Sequence, residues 1–479
     1  MAARSKPHSA WTLIRTSSLA LGFVSSLIGA SAQAETLADA LAGAYQTSGL
    51  LDQNRALLRA ADENVATAAA ALKPIIDYTA SASRTFGDAR NTVGVTQTTS
   101  GLESTQAQLG LIASLLLYDG GASKLNIEAA KETVLATRQQ LISIEQQVLL
   151  RAVSAYLNVY SAREFVDLRQ NNLRLLTQEL RAAQDRFEVG EVTRTDVAQA
   201  EASLAQARSG LATAQGDLQQ VIEEYRNVVG RTPGSLTPPP NLPRLEGNIE
   251  NARARALRAH PDVLAAQHQV AAAELNILRA KATLNPSISA TGTLSFSEDL
   301  GSSDYSSAGT VGIELRAPIY RGGAISSSIR NAIAQRDAQF GNLHTTQKNI
   351  SQDVGTAYAA LAARRASLEA SQERIRAARI AFEGVREEAT LGARTTLDVL
   401  DAEQELLDAE TARISDEANL YVAAYAVLQS TGRLTAQNLN LGVQIYDPAA
   451  YYNLVKDAPT ARSKQGQQLD KVLRALQKD

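Results

Sequence analysis

A chain of 479 residues with 47 basic and 50 acidic side chains carries a net charge of −3. It lacks the basic surplus of a nucleic-acid binder. It has no cysteine, which excludes disulfides, thiolate metal sites, a cysteine nucleophile and a lipidated N-terminal cysteine. Of the histidines His8, His260, His268 and His344, only His260 and His268 are close in sequence. They would lie about 80° apart around a helix, poor for shared ligation. No metal and no other cofactor is expected.

The N-terminus reads as a secretory signal. Arg4, Lys6 and Arg15 make a basic region, the apolar run Ser18 to Ala30 is too short to span a bilayer, and "AQA" ends at Ala34. Export from the cytoplasm is therefore expected, with the mature chain beginning near Glu35. No later stretch approaches the ~20 apolar residues of a membrane helix, so entry into a membrane would have to use strands.

Beyond this point the chain is written twice. At a shift of 202 positions, "LYDGGA" (Leu117 to Ala122) meets "IYRGGA" (Ile319 to Ala324), and "SAYL" at Ser154 meets "TAYA" at Thr356. "VGEVTRTDVAQAEASL" from Val189 meets "LGARTTLDVLDAEQEL" from Leu391. Upstream the register slips by ten, with "LKP" at Leu72 against "LNP" at Leu284. The slip predicts a longer loop in the first copy.

In each copy the segment before the double glycine alternates with period two, as strands do. Ile76, Tyr78, Ala80 and Ala82 oppose Asp77, Thr79, Ser81 and Ser83; Leu109, Leu111 and Leu115 oppose Gln106, Gln108 and Ser114. In the second copy Ile288, Leu294 and Phe296 oppose Ser287, Thr293 and Ser295, and Val311, Ile313 and Leu315 oppose Thr310, Glu314 and Arg316. Gly- and Ser-rich loops near 87–103 and 299–306 are expected to join two hairpins of about ten to thirteen residues per strand, the length of a tilted membrane strand. Glu314 and Arg316 would line a pore.

The long stretches read as helices. Gly121 to Glu188 has no proline and no internal glycine, about 100 Å at the helical rise. After Gly190, the residues Val197, Ala200, Leu204, Ala207, Leu211 and Ala214 step by three and four, a heptad seam that predicts an antiparallel coiled-coil hairpin. The second copy matches from about Ala324 to Thr390 and Thr396 to Leu428, though Arg413 and Asp416 interrupt its seam. Gly120-Gly121 and Gly322-Gly323 mark the strand-to-helix switches.

The expected units are 1–34 signal peptide, 35–73 short helices near 36–47 and 54–72, 74–119 first transmembrane β-hairpin, and 120–230 first helical hairpin. A linker with short helices (231–284), a second β-hairpin (285–321) and a second helical hairpin (322–432) follow. Residues 433–479 would be an equatorial segment with a loose, polar tail beyond Pro459. Four membrane strands cannot close a barrel, and open edges in lipid leave backbone groups unpaired. Oligomerisation to eight, twelve or sixteen strands is therefore expected.

The duplicated order, the "LYDGG" and "IYRGG" turns, and above all "VGEVTRTDV" and "LGARTTLDVLDAE" resemble the TolC-type outer-membrane channel-tunnels, over nearly all of the chain after the signal. The resemblance implies an α+β membrane protein, a homotrimer with a twelve-stranded barrel continued by a helical barrel. It implies a passive duct from the periplasm across the outer membrane of a Gram-negative bacterium, serving type I secretion or drug efflux. The partners it implies are a periplasmic adaptor (membrane fusion protein), an inner-membrane ABC or RND transporter, and outer-membrane lipid. The missing cysteine fits the non-lipidated branch.

The resemblance also assigns roles. Asp398 and Asp401 would form the aperture's carboxylate ring, and Arg394 with Asp196 and Thr195 the lock that holds it shut. Gly190 and Gly392 would mark the tips that meet the adaptor. Ala389 stands where the family has a lock tyrosine. Read without the resemblance, Asp196 and Asp398 are helix-first-turn carboxylates that offset the dipole by ~0.3–1 kcal/mol. The rival reading is a soluble periplasmic coiled-coil adaptor, which would not need four strands with apolar faces. Nothing in the sequence supplies the nucleophile–base pair, phosphate loop or metal set of an enzyme.

Overall fold

The computed structural model describes residues 34–476. All but the last residue of the expected signal peptide lies outside them. Among the described residues there are ten helices and four strands. Two short helices, α1 (Leu37–Thr47) and α2 (Gly49–Ala70), lead into β1 (Ile75–Val93) and β2 (Thr96–Tyr118). Then come the long α3 (Ala122–Glu188) and its return helix α4 (Arg194–Val229). The pattern repeats as α5 (Ile249–Ala259), α6 (Pro261–Ala282), β3 (Ser287–Asp299), β4 (Tyr305–Arg316), α7 (Ala324–Thr390) and α8 (Thr396–Ser430). Helices α9 (Pro448–Val455) and α10 (Lys464–Leu476) close the chain.

The strands form one antiparallel sheet in the order β1-β2-β3-β4. The second hairpin has the expected length, with strands of 13 and 12 residues. The first does not: β1 and β2 run 19 and 23 residues. The expected loop at 87–103 is strand, paired rung by rung up to Val93 and Thr96 around a two-residue turn that opens with Gly94 at φ 64°. Glycine and serine do not break these strands, because each residue faces a partner across the ladder and threonines favour extended backbone. The ten-residue slip between the copies is thus taken up by strand. Pairing of β2 with β3 stops at Gln106 and Asp299, so the first hairpin projects roughly 30 Å further.

Each long helix has 67 residues, almost twice its return helix. The half of α3 nearer the sheet is flanked instead by α2 and α6, and α6 also lies against α7. The shorter helices therefore complete the wall that one hairpin alone would leave half built. The main core forms where these layers meet. Leu149, Val153, Tyr156 and Leu157 of α3 pack with Leu37 and Leu41 of α1, Leu51 and Leu58 of α2, and Tyr225 and Val229 of α4. Leu428 and Leu434 close it from the other repeat. The linker is tied to this core: Tyr156 donates its hydroxyl to the Thr237 carbonyl at 2.7 Å, and Glu35 accepts from Arg231 at 2.7 Å and from the Tyr225 hydroxyl at 2.6 Å.

The tail beyond Pro459 also departs from expectation. Residues 464–476 are helical, and Leu469 and Leu473 of α10 sit against Tyr451 and Val455 of α9. Lys73 donates to the carbonyls of Asp457 and Ala458. Apolar residues at i and i+4 give this polar segment one face to bury, a spacing that composition alone conceals.

Candidate functional site

Register decides what the sheet can do, because directly paired residues lie on the same face. Ile76, Ala113, Gly292 and Val311 form one row across all four strands; Tyr78, Leu111, Leu294 and Gly309 form the next; Ala80, Leu109, Phe296 and Ser307 a third. Leu115, Ala290 and Ile313 extend the face towards the helices. The opposite face carries Thr79, Ser81, Gln106, Gln108, Thr293, Ser295, Ser297 and Thr310. Glu314 and Arg316 belong to this polar face and pair with each other at 2.7 Å.

Among the described residues no helix or loop covers the apolar face: Val311 is 91% exposed, Ile313 74% and Ile76 67%. A contiguous apolar sheet face of this size calls for an apolar medium or partner. Above the last β2–β3 rung the first hairpin turns mainly polar on both sides, with Arg84, Asp88, Arg90 and Asn91 opposite Thr105, Gly101, Thr99 and Thr98, and with Phe86 and Leu102 as large apolar residues along the paired rungs. That projection suits water.

The helical tips are built twice on one plan. At the first, Gly190 takes φ 82° and the Glu191 N–H reaches back to the Arg186 carbonyl at 2.9 Å. At the second, Gly392 takes φ 74° and the Ala393 N–H reaches the Glu388 carbonyl at 2.9 Å. This closure needs left-handed backbone, which only glycine adopts without strain. Three residues on, a threonine caps the return helix. Thr193 gives its backbone N–H (2.8 Å) and hydroxyl (2.7 Å) to Asp196, and Thr395 gives both to Asp398 at 2.9 Å. The reciprocal bonds from the aspartate N–H groups complete two capping boxes. The Thr193 hydroxyl, then its N–H, holds the Asp196 carboxyl below its ordinary range; the Thr395 N–H, then its hydroxyl, does so for Asp398.

The local reading of Asp196 and Asp398 is therefore the one seen within a chain. Thr195 lies in the first turn of α4, and Asp401 is exposed on α8. Arg394 does not meet Asp196 in the same chain; its Nε donates to Glu388 of α7 at 2.8 Å. Ala389 is buried with Phe382 and Val399 inside the second tip. Gly120 and Gly121 (φ 68° and 87°) and Gly322 and Gly323 (φ 59° and 83°) stand at the two strand-to-helix switches, with Gly121 and Gly323 as N-caps.

Comparison with known proteins decides between a membrane channel and a soluble adaptor. The family model described as "Outer membrane efflux protein" matches residues 40–231 and 252–433. The chain belongs to the outer membrane efflux protein family. It is 37% identical over 435 residues to the outer membrane efflux protein BepC of Brucella suis, covering 90% of this chain and 92% of that protein. It is 24% identical over 441 residues to the outer membrane protein TolC of Vibrio cholerae, covering 89% and 97%. The fold is that of the Campylobacter jejuni outer membrane channel CmeC, with a TM-score of 0.72 at 19% identity over 88% of this chain and 89% of that one.

The chain is thus an outer-membrane channel protein of a Gram-negative bacterium, of mixed α and β structure, serving efflux or secretion. Three polar groupings of this channel protein escaped the sequence reading. Asp416 accepts from Ser367 at 2.9 Å and from Ser371, which explains why an acid interrupts the second seam. Glu35, just before α1, ties that helix to the linker. Glu403, buried between the two helical hairpins, accepts from Asn172 at 2.6 Å. The last was visible in outline: Leu400, Glu403, Leu407 and Ile414 step by three, four and seven beside the expected seam, a second inward stripe on the same helix.

Proposed function

We propose that three copies close a twelve-stranded barrel in the outer membrane, continued by a helical barrel that forms a passive duct through the periplasm. The observation that carries this is the sheet: four strands, an uncovered apolar face, a polar opposite face, and outer strands β1 and β4 each paired on one side only. In lipid such edges must pair, and joining β4 of one copy to β1 of the next achieves it. The polar face then lines the pore, Glu314 and Arg316 included. The helices, each about 100 Å long, make the duct. The protein performs no catalysis; a periplasmic adaptor meets the tips around Gly190 and Gly392, and an inner-membrane ABC or RND transporter supplies the cargo, in drug efflux or type I secretion.

The resting aperture lies at those tips. Asp398 and Asp401 are three apart on α8 and supply the carboxylate ring, while Arg394 locks one hairpin to the next through Asp196 and Thr195. Two features support this reading. Arg394 is exposed, and its surface pair with Glu388 is weak and easily exchanged. Both aspartates keep carboxylate oxygens outside the helix core. Ala389 leaves the lock without a tyrosine hydroxyl, so Arg394 bears more of it.

Purified protein in planar bilayers should conduct and prefer cations. Arg394→Ala should raise conductance, and Asp398→Ala with Asp401→Ala should abolish both cation preference and block by divalent ions. Unchanged selectivity in the double variant removes the ring assignment; extraction from membranes without detergent removes the channel reading altogether.

A further inference from the structure

Helix α8 lies between the two hairpins. One of its faces packs on α7, and the other meets α3 through Leu400, which sits with Leu176, Leu204 and Ala207. Glu403 is on that second face and is 4% exposed. Its Oε1 accepts from Asn172 Nδ2 of α3 at 2.6 Å, and Asn172 is itself buried. Its Oε2 is enclosed with no hydrogen-bond partner. A buried carboxylate normally has both oxygens served, because an unserved charge in a packed interface is strongly disfavoured.

The charged groups acting on Glu403 are Glu179 of α3 and Arg386 of α7, which lie 3.6 Å from each other. From α4 this junction receives the apolar Leu204 and Ala207. On α8 itself Asp401 is two residues away, about 200° around the helix, and exposed. Burial is the main influence on the Glu403 carboxyl and pushes it up to about 7; the Asn172 bond and Arg386 lower it, and Glu179 raises it.

We propose that Glu403 and Asn172 form a proton-dependent latch between the two helical hairpins, shut when Glu403 is neutral and loosened when it ionises. The inference of a working role rests on reading the tips as the gate. The neutral acid fits the site as built: one oxygen is served by Asn172 and no net charge is enclosed. Ionisation leaves a charge with one bare oxygen in the seam, and separating the hairpins hydrates it. One proton is linked to each junction. The ratio of loosened to shut junctions therefore rises about tenfold per pH unit between the ordinary glutamate value of 4.5 and about 7, and levels off above. Acid shuts the latch; neutral and alkaline pH release it.

The test uses the full-length protein in lipid nanodiscs, spin-labelled at Val189 and Leu391, exposed residues beside the two tips. Pulsed electron–electron resonance at pH 5 and pH 8 should show the tip separation lengthening at pH 8. Glu403→Gln is close to isosteric, keeps a carbonyl for Asn172 and is neutral throughout, so it should show the pH 5 separation at both values. A pH response surviving in Glu403→Gln, or absent from the parent, overturns the latch. Conductance of the same proteins separates this from the gate reading. Tip separation that follows pH while conductance does not leaves the latch standing and removes the gate. Conductance that follows pH in the parent and in the Asp398→Ala, Asp401→Ala variant, but not in Glu403→Gln, supports both.

Discussion

The two helical hairpins share a backbone and differ in what they bury. Each has a 67-residue outward helix, a glycine-closed tip and a capping box. Yet the stripe Leu149, Val153 and Leu157 of α3, all fully buried, corresponds to Ser351, Gly355 and Ala359 of α7. At Gly355 the Arg253 guanidinium occupies the space: an added Cβ would come within 2.6 Å of its Nη2. The return helices differ in the opposite sense. Leu400, Leu407 and Ile414 of α8 are buried where α4 has exposed Ala198, Ala205 and Ala212. Backbone geometry was duplicated; side-chain size follows the neighbours. The first copy is anchored at the core through its long helix, and the second is wedged between neighbours through its return helix.

The sharpest break of this asymmetry is in the core. Leu149→Ala should cost about 3 kcal/mol, within the usual range for a fully enclosed leucine, while Ser351→Ala at the equivalent position should stay within about 0.5 kcal/mol. Thermal unfolding in detergent, followed by far-UV circular dichroism, compares them directly. Equal effects would mean that the two long helices share the anchoring. Next in size is the wedge. Leu400→Ala should cost about 2 kcal/mol, and hydrogen exchange should rise along α3 around Leu176 as well as on α8. Exchange rising on α8 alone would show that α3 does not lean on it.

The sequence was most legible where one local rule acts. Period two marked the sheet's faces, the absence of proline and internal glycine marked the first long helix, the repeat carried that reading to the second, and the heptad seam marked the return helix. It was least legible where distant segments decide. The first hairpin's extra length was hidden because Gly87 and Gly101 read as loop, whereas a complete ladder carries them through to a two-residue turn at Gly94. α10 was hidden because its few leucines matter only with Tyr451 and Val455 beneath them. At the tips the motif gave the residues but not their bonds. Asp196 and Asp398 cap helices, and Arg394 turns to Glu388, six residues back in the same tip. A role between copies is a property of neighbours, which no single chain's spacing records.

The smallest effects make the best control, because the caps are side-chain features kept equal in both copies. Thr193→Ala and Thr395→Ala should each cost about 1 kcal/mol at neutral pH. Their pH dependence follows from the aspartates. Asp196 and Asp398 are held below the ordinary value of 3.8, so the stability they add is fully present above that value and is lost as pH falls through their folded values. Each threonine's contribution should therefore be constant from pH 8 to pH 5 and shrink below pH 4. That window lies under the one set by Glu403, whose raised carboxyl makes the parent lose stability as pH rises from 4.5 towards 7. Unfolding midpoints across pH separate the two. If Thr395→Ala costs clearly more than Thr193→Ala, or its cost changes between pH 5 and 8, the second tip is held by more than its cap, and Asp398 is the residue through which the extra hold acts.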